Sequence, residues 1–233
     1  MKFYERHILP RIVNASCSAE AVGDTRSRIV PDASGRVLDV GFGSGLNLPF
    51  YDTDRVDHVW ALEPSREMWK LAQQRINAHA IPVEFVNATA EELPLEDESV
   101  DTVLLTYTLC TIPDVVAALE QISRVLKKDG RLLFVEHGAS PDEKILRWQH
   151  RIEPLWMRLA GGCHLTRRTP NLLEAGNFQI HDLSSGYIPG WKIGSFVYSG
   201  SAVPTRQTTV AVRGASATTR STGATGTNAR DRH

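Results

Sequence analysis

Short runs of β-branched and aliphatic residues recur between residues 36 and 136, and stretches with helical spacing of apolar positions separate them. The runs predict strands over residues 36–40, 58–62, 83–86, 101–106 and 131–136. Apolar residues three and four positions apart predict helices over 65–80 and 114–128, the second ending at a Lys-Asp-Gly stop. Strands and helices in alternation are typical of a parallel sheet with helices on both faces.

The second half of the chain continues with two more helical segments and two apolar runs. They predict helices over 142–160 and 168–176, and strands over 178–183 and 196–203 that pair as an antiparallel edge. Before the first strand, apolar residues again have helical spacing: Phe3, Tyr4, Ile8, Leu9 and Ile12. We expect one α/β domain over 31–204, with residues 1–30 as a helical segment that packs on it or covers its site as a lid.

The last part of the chain has a different composition. From Thr205 onward Thr, Ser, Ala, Gly and Arg dominate, whereas 42% of the whole chain is apolar. Such a stretch buries too little apolar area to offset its ordering entropy. We therefore expect residues 205–233 to hold a strand remnant and a disordered tail, with disorder over about 215–233.

Charge and cysteine usage narrow the class of protein. The formal net charge of −1 gives no reason to expect nucleic acid or an anionic membrane as a partner. Cys17, Cys110 and Cys163 form no CxxC pair, which favours reduced thiols and a cytoplasmic location. No apolar stretch reaches the roughly 20 residues of a membrane helix, and MKFYERHILPR lacks a signal-peptide core. The composition does not distinguish a monomer from an oligomer.

A glycine-rich loop follows the first predicted strand, in LDVGFGSGLNLPFY (38–51). Gly41, Gly43 and Gly45 suit a dinucleotide, a phosphate or a nucleoside, and such a pattern also occurs in plain tight turns. A dinucleotide fingerprint needs its third glycine where Leu46 stands. An ATP-type loop needs Lys followed by Ser or Thr, which this loop lacks. The neighbouring residues therefore decide among the ligands.

Acidic residues end the first two strands. Asp39 precedes the glycines, where a carboxylate suits an ammonium or sulfonium cation. Glu63 ends the second strand, where an acidic side chain accepts the hydroxyls of a ribose. The pair predicts a nucleoside that carries a positively charged amino acid, S-adenosylmethionine. The alternatives are a helix cap for Asp39 and a solvated loop acid for Glu63.

Other donor-site candidates lie after the glycines or at the ends of later strands. We expect them to line the same ligand, with the loop NATAEELP along the adenine edge: Asn47, Pro64, Thr89, Ala90, Glu91 and Thr106. The histidines are scattered and no cluster has metal-ligand spacing, so no metal site is expected.

Four segments in this order, DVGFGSG, ALEPS, ATAEELP and RVLKKDGRLLFVEHG, resemble the class I S-adenosylmethionine-dependent methyltransferases of the type 11 group. The resemblance implies a Rossmann-like sheet of seven strands in the order 3-2-1-4-5-7-6, the last strand antiparallel. ILPR, GLNLPFY, YTLCTIPD and PLWMRLAGGCHLTRRT are more particular, and resemble the thiol methyltransferases of vertebrate membranes and their bacterial relatives. The vertebrate members carry an N-terminal hydrophobic anchor that this sequence lacks, so no stable membrane insertion is expected.

Methyl transfer requires an apolar site that aligns donor and acceptor, and a thiol acceptor must lose its proton. His137 and His164 are the candidate bases. Residues expected around the acceptor are Tyr4, Tyr107, Cys110 and Trp191. The leading hypothesis is methylation of a small hydrophobic acceptor, a thiol first. The alternatives are N-methylation of a phospholipid amine, C- or O-methylation of a quinone-like or phenolic molecule, and donor binding without catalysis.

Overall fold

The structure is a computed structural model that describes residues 3–205, apart from the side chain of Glu5. The tail expected over 215–233 lies outside these residues. Within them, seven strands form one sheet: β1 (Gly35–Val40), β2 (Val56–Leu62), β3 (Val83–Val86), β4 (Val100–Thr106), β5 (Leu126–His137), β6 (Phe178–Tyr187) and β7 (Phe196–Pro204).

The strands are ordered β3-β2-β1-β4-β5-β7-β6 across the sheet. Strands β1 to β5 pair in parallel, while β7 lies antiparallel between β5 and β6. This arrangement confirms the expected order and the antiparallel edge. The order reverses beside β1, between β1 and β4, which is where α/β sheets open a crevice at their carboxyl ends.

In the described part of the chain, six α-helices accompany the sheet: α1 (Leu9–Cys17), α2 (Glu20–Ile29), α3 (Arg66–Asn77), α4 (Val115–Val125), α5 (Glu143–Leu159) and α6 (Thr169–Ala175). A π-helical turn, Tyr4–Ile8, precedes α1, and short 3₁₀ turns lie at Val30–Asp32 and Leu48–Phe50. Within residues 3–205, no helix is both long enough and apolar enough to cross a membrane.

The core consists of two apolar layers, one on each face of the sheet. Leu38 and Phe134 point into one layer, where they meet Ile122 of α4. Their neighbours Val37 and Leu133 point into the other layer, which α3 covers. Successive side chains of a strand alternate between faces. Because both faces are covered, these central strands are apolar almost throughout.

The helices that follow β2 and β4 each have a side-chain cap at the N-terminus. Ser65 Oγ accepts the Met68 N–H at 3.2 Å, and Asp114 Oδ1 accepts the Ala117 N–H at 3.1 Å. Each cap satisfies a backbone donor that the first helical turn leaves free. The capped turns place the start of α3 and of α4 at the carboxyl edge of the sheet.

The helix expected over 114–128 is shorter than the pattern predicted. It ends at Val125, and the next residues already belong to β5. Leu126 is fully buried and pairs with Val100, while Lys127 Nζ lies 2.7 Å from Asp101 Oδ1. Burial and strand pairing therefore override the helical spacing of this segment.

The Phe134 ring is fully buried in the central strand β5. Phe134→Ala should lower the free energy of unfolding by about 3–5 kcal/mol, because it removes the ring and leaves a cavity. Denaturant unfolding followed by circular dichroism measures this. The matched control is Phe3→Ala, since Phe3 is 71% exposed, and it should stay within about 0.5 kcal/mol of the wild type. Equal effects of both substitutions would contradict the core assignment.

Candidate functional site

A cavity of about 450 Å³ opens at the carboxyl ends of β1, β2 and β4. The glycine loop forms its floor, and the loops after β2, β3 and β4 form its sides. Helix α1 closes it from above with Leu9, Pro10, Val13, Asn14 and Cys17. The N-terminal segment therefore contributes a wall of this cavity, as the lid hypothesis requires.

The three loop positions favour glycine for different structural reasons. Gly41, Gly43 and Gly45 all have positive φ, at 71°, 59° and 77°, a conformation that favours glycine. A Cβ at Gly41 would collide with Thr108, and one at Gly45 would lie 3.1 Å from Leu48 Cδ1. Gly41 and Gly43 line the cavity, whereas Gly45 packs beneath the loop and does not.

Glu63 is an acidic residue that lines the cavity. Its Oε2 accepts the Gly43 N–H at 2.9 Å, and its Oε1 accepts the Ser65 N–H at 2.8 Å. Burial raises the pKa of this carboxyl, and the two backbone donors oppose the rise. Each oxygen keeps a further lone pair as an acceptor. A carboxylate held from behind by two backbone N–H groups can accept two hydroxyls from a ligand.

Asp39 lies beneath the loop and does not line the cavity, unlike the arrangement expected from the sequence. Asn47 Nδ2 donates to both of its oxygens at 3.0 Å, and the Tyr51 hydroxyl donates to Oδ2 at 2.9 Å. Burial raises the pKa of Asp39 to about 6 despite these donors. Asp39 is therefore linked to the cavity through Asn47, which does line it.

Arg26, from α2, is a buried cation of the cavity wall that sequence reasoning missed. Its Nε donates to Asn47 Oδ1 at 3.1 Å and its Nη1 donates to the Cys17 carbonyl at 2.8 Å. Its guanidinium carbon lies 5.2 Å from the centre of the Tyr107 ring. No strand-end pattern could identify it, because it comes from a helix that precedes β1.

The remaining predicted donor-site residues come together around the same cavity. Pro64, Thr89, Ala90, Glu91 and Thr106 all line it. Glu91 Oε1 accepts the Asp114 N–H at 3.3 Å, and the Thr106 hydroxyl exchanges hydrogen bonds with the Asn47 amide. The carboxyl ends of the first four strands therefore converge as the sheet topology requires.

The loop after β4 is held by Glu136, near the end of β5. Glu136 Oε1 accepts the N–H groups of Thr108 and Leu109 at 2.7 and 2.9 Å. Its Oε2 is buried without a hydrogen-bond partner among residues 3–205. Burial raises the pKa of Glu136 to about 7. The clamp orients Tyr107, a cavity residue whose backbone has a positive φ of 58°.

Of the residues predicted around the acceptor, only Tyr107 lines the cavity. The Tyr4 hydroxyl donates to the Leu159 carbonyl at 2.6 Å, outside the cavity. Trp191 is 51% exposed and lies beside Trp156, with ring centres 5.4 Å apart. Cys110 is buried behind the wall. The structure therefore places these three residues outside the cavity lining.

Neither candidate base lines the cavity. His137 lies behind Tyr107, with ring centres 6.4 Å apart, and its Nε2 is 3.0 Å from Cys163 Sγ. His164 Nδ1 lies 2.8 Å from Glu153 Oε1. A catalytic role for either histidine stays a prediction.

The sequence shows no cluster with metal-ligand spacing, but the fold assembles one group of potential ligands among residues 3–205. The fold brings Cys110, His137 and Cys163 together, with their ligand atoms all within 4.8 Å of one another. They lie 26 or more positions apart in sequence, so no local spacing could indicate the cluster.

Glu136 gives the stability of the site a pH dependence. Its pKa rises from an ordinary 4.5 to about 7 on folding, so between these values the folded state binds more protons than the unfolded chain. The free energy of unfolding therefore falls as pH rises through this window, by about 3 kcal/mol at roughly 1.4 kcal/mol per pKa unit. Glu136→Gln keeps the Oε1 acceptor and should remove this component, as urea unfolding between pH 4.5 and 7.5 measures. The exposed Glu92→Gln should follow the wild-type curve, and a Glu136→Gln curve parallel to wild type would refute the assignment.

Comparison with known proteins points to one family. Residues 38–134 match the family model described as a methyltransferase domain. Thiol S-methyltransferase TMT1B of Rattus norvegicus is 33% identical over 144 residues, which cover 61% of this chain and 59% of that protein. The human thiol S-methyltransferase TMT1A is 31% identical over 168 residues, which cover 70% of this chain and 68% of that protein. The matched part thus spans about 60% of the rat relative's length.

A solved structure supports the fold. The Burkholderia thailandensis 1,6-didemethyltoxoflavin-N1-methyltransferase, with bound 1,6-didemethyltoxoflavin and S-adenosylhomocysteine, superposes with a TM-score of 0.62 and 20% identity. The superposition covers 88% of this chain and 86% of that one. With the strand order and the sequence similarity together, this chain belongs to the class I S-adenosylmethionine-dependent methyltransferases.

Proposed function

We propose that the protein transfers the methyl group of S-adenosylmethionine to the sulfur of a small hydrophobic thiol. The observation that carries donor use is the Glu63 carboxylate, which two backbone N–H groups hold while it faces a cavity of about 450 Å³. The similarity to thiol S-methyltransferases over 70% of this chain supports sulfur as the acceptor atom.

The residues around Glu63 suit the adenosine part of the donor. Glu63 would accept the two ribose hydroxyls with the lone pairs that its backbone donors leave free. Met68 and Ile112 supply apolar surface on either side, and Thr89 to Glu91 form the loop that we assign to the adenine edge. This division matches the general position of a ribose-binding acid after the second strand of such folds.

Arg26 and Asn47 suit the amino-acid part of the donor. The Arg26 guanidinium is a fixed, buried cation in the cavity wall, so we assign it to the donor's carboxylate. Asn47 lies between Arg26 and Asp39, and its side-chain orientation is set by both. Asp39 is therefore a positioning residue that acts through Asn47.

The acceptor end of the cavity is apolar. Leu9, Pro10 and Val13 of α1 face Ala160 and Gly161, the residues just after α5. An apolar pocket favours a soft, poorly hydrated nucleophile over a highly charged one. Few side-chain contacts hold the segment before α2, among them Arg6 with Glu67 at 3.0 Å and the Ser44 hydroxyl with Asn14 at 2.5 Å. Of the N-terminal region expected as a lid, we assign the part before α2 as the element that opens for exchange of substrates, while α2, which carries Arg26, stays on the domain.

The chain's contribution to catalysis is alignment and exclusion of water. When bound, S-adenosylmethionine would supply its sulfonium methyl to a thiolate: the thiolate sulfur would bond to the methyl carbon as the bond from that carbon to the donor's sulfur breaks, so that two opposite charges become two neutral thioethers. Apolar walls from α1 favour this loss of charge, and the Glu63 and Arg26 contacts would hold the donor in line. Within residues 3–205 no imidazole lines the cavity. A thiol near pKa 8.5 is partly ionised at neutral pH, so the acceptor can lose its proton to water before it enters.

Glu63→Ala removes the paired acceptors of the ribose hydroxyls. Donor binding, measured by calorimetry with S-adenosylmethionine and with S-adenosylhomocysteine, should weaken by about 1.5–3 kcal/mol, the range for hydrogen bonds to a charged group. Glu92→Ala, on an exposed residue of a nearby loop, should bind like wild type. A melting curve of each variant separates loss of binding from loss of fold. Unchanged affinity in a folded Glu63→Ala protein would remove Glu63 from the donor site.

The identity of the acceptor is tested with labelled donor and matched panels of thiols, amines and phenols. We expect turnover with hydrophobic thiols, and a rate that rises with pH and levels off at each thiol's own pKa, because the thiolate is the reacting form. A break at one fixed pH for every thiol would instead indicate a protein base, with His137 or His164 the first to substitute. Methylation of an amine lipid or a phenol without any thiol turnover would exclude the proposed acceptor class. Donor binding without turnover of any class would leave a donor-binding protein.

A further inference from the structure

Two cysteines and a histidine meet behind the acceptor end of the cavity. Cys110 comes from the loop after β4, His137 from the end of β5, and Cys163 from the loop between α5 and α6. Their two Sγ atoms and an imidazole nitrogen all lie within 4.8 Å of one another. The donor site described above uses none of the three.

We propose that Cys110, His137 and Cys163 form a binding site for Zn²⁺. Two sulfurs and one imidazole nitrogen are ligands that Zn²⁺ prefers, at about 2.3 Å to sulfur and about 2.0–2.1 Å to nitrogen. Tetrahedral ligands at these lengths lie roughly 3.4–3.8 Å from one another. The observed separations, from 3.0 Å between His137 Nε2 and Cys163 Sγ up to 4.8 Å at most, need only small side-chain movements to reach them.

The charges of the site also suit a divalent ion. Zn²⁺ with two thiolates and a neutral imidazole has no net charge, which is the arrangement that a buried site tolerates best. Hydrogen bonding to Cys110, followed by contact with His137, lowers the pKa of Cys163, which favours the thiolate that a metal ion needs. Hydrogen bonding to Cys163 and burial raise the pKa of Cys110, which disfavours loss of its thiol proton. Zinc binding would release that proton.

The surroundings hold the ligands in place. Trp156 Nε1 donates to Cys163 Sγ at 3.3 Å, and the His164 backbone N–H donates to the Cys110 carbonyl at 2.9 Å. Such outer contacts orient metal ligands and tune their basicity. The imidazole nitrogen turned toward the proposed ion is His137 Nε2, because it is the one that lies beside Cys163. The other nitrogen, Nδ1, is buried without a hydrogen-bond partner among residues 3–205.

A zinc ion here would join three segments that are distant in sequence. Thr111 and Gly161, cavity residues, lie one and two positions from Cys110 and Cys163. The ion would thus fix the wall of the acceptor end. Three protein ligands leave the fourth tetrahedral position to water or another small ligand.

Metal titration of the full-length, reduced and chelator-treated protein tests the proposal. CoCl₂ should produce sulfur-to-cobalt charge-transfer absorption and the visible bands of tetrahedral Co²⁺, and ZnCl₂ should abolish both with one ion bound per chain. Cys110→Ser and Cys163→Ser should each weaken zinc binding more than about ten-fold, the least expected when a direct ligand is lost. Cys17→Ser, a thiol outside the cluster, is the matched control and should bind zinc like wild type.

Circular dichroism and S-adenosylmethionine binding show whether each variant is folded, so that a loss of zinc binding is not mistaken for a loss of fold. If either cysteine variant fails to fold, His137→Gln replaces it, with the same expected loss of zinc binding. Absence of thiolate–cobalt absorption in the folded wild type would overturn the proposal. Equal losses of zinc binding in Cys17→Ser and in the cluster variants would also overturn it. A third contrary outcome is a Cys110–Cys163 disulfide, detected by mass spectrometry in the isolated protein, together with no zinc uptake once that disulfide has been reduced.

Discussion

Buried carboxylates at the carboxyl ends of three strands hold the loops that form the cavity. Asp39 in β1, Glu63 after β2 and Glu136 in β5 are each removed from water, and burial raises the pKa of each. A desolvated carboxylate is tolerable only when it is hydrogen-bonded. Each one therefore recruits donors from a neighbouring loop, and the recruited loops become the floor and sides of the site.

The three carboxylates perform different tasks because their donors differ. Asp39 is surrounded by side-chain donors from Asn47 and Tyr51, so it is enclosed and acts through Asn47. Glu63 receives only backbone donors on one side, so its other side faces the cavity. Glu136 uses one oxygen to hold the loop after β4. The number and direction of the donors thus distinguish the carboxylate that we propose for ribose binding from the two that only hold neighbouring residues.

The two ends of the cavity are built from different kinds of structural element. The donor end is formed by loops fixed directly to parallel strands, which supports precise placement of a reactive group. The end that we propose for the acceptor is formed by α1 and by the segment after α5, which is hydrogen-bonded to the loop after β4 through the His164 N–H and the Cys110 carbonyl. The proposed zinc site at Cys110, His137 and Cys163 lies where this wall meets the sheet.

Hydrophobic periodicity alone determined the strands, most helices and the position of Glu63, because strand ends in a parallel sheet converge on one edge. Only the tertiary structure decided where the second predicted helix ends, since burial of Leu126 outweighs its helical spacing. It also decided the roles of Arg26 and of Asp39, the first contributed from an earlier helix and the second turned beneath the loop. The cysteine–histidine cluster was invisible in the sequence, because its members come from three segments that only long-range packing brings together.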